Sequence, residues 1–340
     1  MSARLLCRLL AAPGEARALD AAQWNAVIAI ARAELLIGAL AFRLRGLPLP
    51  APVEAILAAA ILSAEEGRRQ ALWEAEMARR ALAALDCPVI LLKGTAFVAA
   101  GLDAGQGRHI GDLDILVPAD ALARAEAALL DAGWEWVKSD PYDDAYYRRW
   151  MHELPPLIHR DRDRMIDVHH TILPPTARAT PDPAKLIADA VPLADGLAML
   201  SPEDVVIHAA IHLLADGDLS GGLRNLWDID RLVREFAARD ADYPARLVFR
   251  AAEHQASRAV ARALRLAAAL FDTPIPPQPA EPLFDAAARH RLLARDGWGR
   301  GTRPATRLAF YVRSHWLRMP PAMLARHLWI KMWRRSGHAG

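Results

Sequence analysis

The 340-residue chain carries 42 Lys and Arg against 40 Asp and Glu, and 53% of it is hydrophobic. That composition excludes a disordered or low-complexity protein and gives enough chain for roughly two or three packed units. Two cysteines, Cys7 and Cys87, make neither a disulfide framework nor a metal-ligand spacing, and no stretch approaches a charge-free membrane span, so the expected setting is a reducing cytoplasm. Charge is uneven along the chain: residues 301–340 hold eight of the Lys and Arg and none of the Asp and Glu.

Taken in order, Met1–Ala12 reads as a first helix. The run 20–46 is helical, with Trp24, Val27, Ile28, Ala31, Leu35 and Leu36 near one stripe, and Pro48, Pro50 and Pro52 break it. A long helix with a solvated face is predicted over 52–85. The character changes at Cys87-Pro88, where Val89–Leu92 is a buried-type strand, followed by a short helix over 95–100 and a glycine-containing loop over 101–107. Leu113–Val117 is a second strand, 118–131 a helix closed by Gly133, and 134–138 a third strand. Residues 145–152 and 154–159 are predicted to pair as strands, and Met165–His169 alternates as another. From Ser201-Pro202-Glu203-Asp204, a strong start signal, helices are expected at 202–215, 222–237, 243–271 and 282–295, then 304–318 and 321–335 in the basic tail. The pattern is α+β: a small mixed-sheet core over 87–175, between helical regions at 1–86 and 176–340.

Chemistry concentrates in Leu92-Lys93-Gly94-Thr95 and Arg108-His109-Ile110-Gly111-Asp112-Leu113-Asp114. Strand side chains alternate in direction, so Asp112 and Asp114 share a face. Two like charges on an apolar strand are costly without a cation between them, and magnesium is the usual cation where the substrate brings phosphates. Asp167 is a third acid between apolar neighbours, on a strand able to pair beside the first two. The trio is a candidate catalytic and metal-binding set, with room for two magnesium ions. Gly94-Thr95 falls where a strand meets a helix, which suits phosphate oxygens. Lys93 and Arg108 are nearby cations, though Arg108 reads equally as a structural partner of an aspartate.

These residues resemble the uncharacterised nucleotidyltransferase family of bacteria, a branch of the polymerase-beta-like nucleotidyltransferase superfamily. The superfamily's Gly-Ser/Thr, Asp-x-Asp and later strand Asp correspond here to Gly94-Thr95, Asp112-Leu113-Asp114 and Asp167. The branch's LKG, R-x-x-GDIDLLV and D-x-H-W correspond to Leu92-Lys93-Gly94, Arg108 through Val117, and Asp167-Val168-His169-His170; His170 departs from the tryptophan. The resemblance covers about 20–237 and implies transfer of an NMP from an NTP, with ATP favoured, to an unidentified hydroxyl-bearing acceptor, whether a small molecule, a peptide or a protein. The implied metal ligands are Asp112, Asp114 and Asp167, and the implied nucleotide contacts are Lys93, Gly94, Thr95, Arg108 and His169; His169, two residues after Asp167 on the same strand face, reads equally as a phosphate or acceptor contact and as a histidine hydrogen-bonded to a neighbouring loop.

Other groups have plainer readings beside sharper ones. His208 and His212, i and i+4 on a helix, read as a packed pair rather than zinc ligands. Arg224 and Asp228 read as a helix ion pair, with a nucleotide contact as the alternative for Arg224. His152-Glu153 reads as a strand end, with an acceptor cleft as the alternative. In the tail, Trp316, Trp329 and Trp333 lie among basic residues including Lys331 and Arg334, with His327 on the same helical face as those two. A helix docked on the body is the favoured reading there, before RNA binding and, last, peripheral membrane contact. An RNA-modifying, toxin-type transferase and a catalytically inactive nucleotide-binding module are the alternative functions.

Overall fold

The computed structural model describes residues 2–137 and 147–318. The helix expected at 321–335, with Trp329, Trp333, His327, Lys331 and Arg334, lies outside the described residues. Four helices come first: α1 (Ser2–Ala11), α2 (Ala21–Ala33), α3 (Ile37–Arg43) and the long α4 (Ala51–Ala81). The single helix expected over 20–46 is two. Leu35 takes a left-handed turn (φ 56°) because Glu34 is drawn inside, where its carboxylate accepts from Arg295 Nε at 2.7 Å and Leu223 N–H at 3.3 Å.

Seven strands form one mixed sheet: β1 (Ile90–Leu91), β2 (Leu113–Leu116), β3 (Trp134–Trp136), β4 (Leu157–His159), β5 (Met165–His169), β6 (Val191–Pro192) and β7 (Ala198–Met199). Their order is β3-β4-β5-β2-β1-β7-β6. Between β1 and β2 runs the short helix α5 (Lys93–Ala99), and α6 (Leu122–Asp131) follows β2. The central strands are apolar and buried on both faces, as strands covered by helices should be. β5 lies parallel to β2 with Asp114 opposite Asp167 and Leu116 opposite His169. The sheet continues past residue 175, because β7 pairs with β1. This two-residue strand is too short to show a period in sequence.

The strand expected at 145–152 is corrected: 147–150 are helical. The reason is an anchor, not a propensity. Arg148 grips Glu126 on α6 with both terminal nitrogens, at 2.7 and 2.8 Å, a bidentate pairing that fixes the segment against that helix.

Helices close the structure: α7 (Pro183–Ala188), α8 (Pro202–Ile211), α9 (Gly222–Arg239), α10 (Tyr243–Glu253), α11 (Ser257–Phe271), α12 (Pro282–Leu292) and α13 (Pro304–Arg318). The helix expected over 243–271 breaks at Gln255 (φ 54°), next to His254. That fully buried imidazole accepts from Asp182 N–H and sits 3.2 Å from Asp204 Oδ1. α8 starts as predicted, with Ser201 capping Asp204 N–H, but ends in a π-turn over His212–Asp216. One apolar core runs through the helical regions and the sheet.

One close approach fixes the loop that leads into β2. Gly38 on α3 packs on Gly107, itself left-handed at φ 67°; a Cβ on Gly38 would lie 2.2 Å from the Gly107 carbonyl oxygen. Backbone cannot swing aside as a flexible side chain can, so Gly38→Ala must push this loop away. The expected cost is about 1–3 kcal/mol, read by chemical denaturation. A variant as stable as wild type would show that the contact is dispensable.

Candidate active site

Register places the three acids. Asp114 and Asp167 face each other across two parallel strands, and Asp112 stands one alternation before Asp114 at the mouth of β2. Their ligand oxygens lie within 4.8 Å of one another. Asp112 is exposed, Asp167 is half-buried and Asp114 is only 3% exposed. The site thus has an open lip and a closed floor.

Asp114 is held as an anion by its neighbours. Its Oδ1 accepts from Lys93 Nζ at 2.6 Å, and His169 Nε2 lies 3.0 Å from the same oxygen. Burial alone would raise this carboxyl, but Lys93 and His169 outweigh it and hold it far below the usual carboxylate range. Burial likewise opposes the charge on Lys93, and Asp114 reverses the balance and raises it. Lys93 adopts φ 48° to reach that position. A non-glycine residue there costs about 1–2 kcal/mol, a strain the buried ion pair opposes.

Asp167 sits in the opposite situation. Its Oδ1 is buried without a hydrogen-bond partner among the described residues. Burial, then the charges of Asp114 and Glu153, pushes its carboxyl up to about 7. An orphaned carboxylate oxygen facing two other carboxylates is the donor set that a divalent cation satisfies, so the residues fit a metal. A proton and the metal then compete for Asp167. Divalent-metal affinity is expected to fall as pH drops through about 7, with proton release on binding above zero below that point. Titration calorimetry in two buffers of different ionisation heat reads both. Affinity unchanged between about pH 5.5 and 8 would contradict the assignment.

The structure brings His169 to Asp114 and also to Glu153, whose Oε2 lies 3.3 Å from Nδ1. His152, Glu153 and His169 make a second close group, with the His152 and His169 rings 5.2 Å apart. Reading His152-Glu153 as a strand end understates Glu153, which bridges to His169 through the backbone. The signal was an acid beside a histidine in an apolar stretch, and that pattern is common enough to be passed over.

Behind Lys93 lies a pocket between α5, α8 and α9. Its polar lining is Lys93, Arg108, Arg224, His208, His212 and Asn225, with Asp228 as its acid. Arg108 is 8% exposed, and its Nη2 lies 3.0 Å from Asp228 Oδ2. Of the two sequence readings of Arg108, the aspartate pairing is therefore present. Gly94 makes room for it, since a Cβ there would come within 3.1 Å of Nη1. Burial pushes Asp228 up to about 6 despite Arg108 and Arg224. The Nε atoms of Arg108 and Arg224 are both buried without partners among the described residues. Burial and the neighbouring Lys93 and His212 push His208 well down, so it is a neutral imidazole. The expected Arg224–Asp228 pair gives way to Arg108–Asp228. Thr95, expected at the phosphate, is 1% exposed inside α5. His208 and His212 touch edge to face, their centroids 6.5 Å apart.

A strand-borne acidic pair, joined by a third acid from a parallel neighbour, defines a carboxylate centre suited to a divalent cation on an α+β sheet. The chain belongs to the uncharacterised nucleotidyltransferase family, whose family model matches residues 20–272. No curated protein and no solved structure matches it. Among the described residues no helix is long and apolar enough to cross a membrane.

Proposed function

We propose that this chain is a magnesium-dependent nucleotidyltransferase that moves an NMP from an NTP, with ATP favoured, to a hydroxyl-bearing acceptor in the cytoplasm. The observation that carries this reading is the in-register pairing of Asp114 with Asp167, with Asp112 completing the trio. Family membership supports the same class. Asp112, Asp114 and Asp167 would hold the metal, which when bound supplies charge neutralisation at the phosphates and a more acidic acceptor hydroxyl. Lys93 and His169 orient Asp114 so that its second oxygen stays free for that task. The cations behind the trio give the triphosphate a positive wall. In this reading Lys93 and Arg224 draw the leaving pyrophosphate, Gly94 and Thr95 shape the turn beneath it, and Arg108 stiffens the wall through Asp228.

The acceptor's oxygen attacks the α-phosphorus in line, the bond to the β-phosphate bridging oxygen breaks, and the hydroxyl proton passes to Asp167. Residues supply mainly position and charge. The test is pyrophosphate release from each of the four NTPs with magnesium, with and without a cell extract as the source of acceptor. Release that needs both magnesium and extract supports the reading; release of inorganic phosphate alone sinks it. The basic segment 301–340 favours one second reading, an RNA acceptor. It requires RNA binding that weakens steeply with salt and is lost when that segment is removed.

A further inference from the structure

Three cavities line up along one face of α4. The first is bounded by Ile56, Ala60, Ser63 and Gly67 on α4 and by Ile37 and Ile110 across from them. The second, a narrow cleft, shares Gly67 and Ile110 with it and contains Asp112 in its wall. The third shares Gln70, Glu74 and Arg164 with the second and ends at Trp73, an indole 55% exposed. Together they make one groove that passes the open lip of the acidic trio at its narrowest point. From Ile56 to Glu74 the helix rises about 27 Å at 1.5 Å per residue. That length matches roughly eight residues of extended polypeptide at about 3.3 Å each.

The walls say what chemistry fits. Residues 56, 60, 63, 67, 70 and 74 fall at helical spacing, so the floor is one face, and its centre is alanine, serine and glycine. Glu74 is already neutralised by Arg162, at 2.8 and 3.0 Å. Arg32 at one end and Arg164 near the other have no ion-pair partner among the described residues. The groove's other arginines, Arg69, Arg108 and Arg162, are each paired with an acid, Glu66, Asp228 and Glu74, so it does not offer the row of free cations that a nucleic-acid strand of this length needs. An extended peptide needs narrow apolar walls, an aromatic contact and a few matched charges.

We infer that the groove along α4 takes an extended polypeptide acceptor with acidic residues toward its ends, and presents a Ser, Thr or Tyr hydroxyl to the metal site at Asp112. The inference rests on the nucleotidyl-transfer reading and names its acceptor class. Transfer joins the hydroxyl oxygen to the α-phosphorus and expels pyrophosphate with the electron pair of the broken P–O bond; the proton leaves through Asp167.

Gly67 provides the test. A Cβ there meets nothing within 4 Å, so Gly67→Leu enters the groove from an unobstructed Cβ and favours the helix. The probes are a fluorescein-labelled library of eight-residue peptides, with Asp or Glu at both ends around a central Ser, Thr or Tyr, and a labelled oligouridylate of matched length. Anisotropy is read with the full chain, and magnesium–ATP binding is measured by calorimetry on the same samples. The expected result is saturable binding of peptides from the library, at least tenfold weaker in Gly67→Leu and in Arg164→Glu, with magnesium–ATP affinity unchanged in Gly67→Leu. No peptide binding, or binding equal in wild type and Gly67→Leu, overturns the groove; binding of oligouridylate but not peptides overturns the polypeptide class. Failure of wild type to bind magnesium–ATP would instead strike the nucleotidyl-transfer reading, whatever the peptides do.

Discussion

Asp112→Asn is expected to lower nucleotidyl transfer by about a thousandfold while leaving the fold intact. Loss of one metal carboxylate removes several kcal/mol of charge stabilisation, and each 1.36 kcal/mol is tenfold in rate. Asp112 is the cleanest of the three positions because it is exposed. Asp114→Asn should lose as much activity and stability besides, since Lys93 would keep a largely buried charge without its counter-ion. Asp167→Asn should go the other way in stability: it removes a like charge whose Oδ1 has no partner among the described residues, so the metal-free protein melts higher while metal binding is lost. Melting with and without magnesium, beside transfer rates, separates the three. Wild-type transfer in Asp112→Asn would remove this residue from the site.

Arg108→Ala should cost about 3–5 kcal/mol of stability. The cause is burial: Arg108 and Asp228 side chains are 7% and 4% exposed and lie 3.0 Å apart. Removing the guanidinium leaves a carboxylate inside α9 with Arg224 nearby, and Asp228 must then take a proton or draw in water. Adding Asp228→Asn should recover a substantial part of the loss, which is the signature of a paired charge rather than of packing alone. Chemical denaturation of both variants reads it. An Arg108→Ala protein of unchanged stability, with only a weaker NTP affinity, would make Arg108 a ligand contact after all.

How much of this was legible in sequence differs by element. The acidic trio was, because strand alternation gives Asp112 and Asp114 a common face before any pairing is known. That Asp167 would stand opposite Asp114 was legible only as a possibility of pairing; the register is set by β2 and β5 lying parallel. The partners of the trio were not legible. Lys93 bonds Asp114 rather than standing free, and does so from a left-handed backbone that no local pattern announces. Arg108 reaches Asp228 over 120 residues of chain, where helical spacing had suggested Arg224. The breaks at Leu35 and Gln255 belong to buried Glu34 and His254, whose partners are distant in sequence. Periodicity reports which face is apolar; it does not report which buried acid will end a helix to meet an arginine.

The central claim is tested most directly by following two labels. The chain is incubated with magnesium and an acceptor source, once with ATP labelled in the α-phosphate and once with ATP labelled in the γ-phosphate. The account predicts metal-dependent label on the acceptor from the α position alone, with the γ label recovered in pyrophosphate and both outcomes abolished in Asp112→Asn. Label reaching the acceptor from the γ position would make the chain a phosphotransferase and contradict the account.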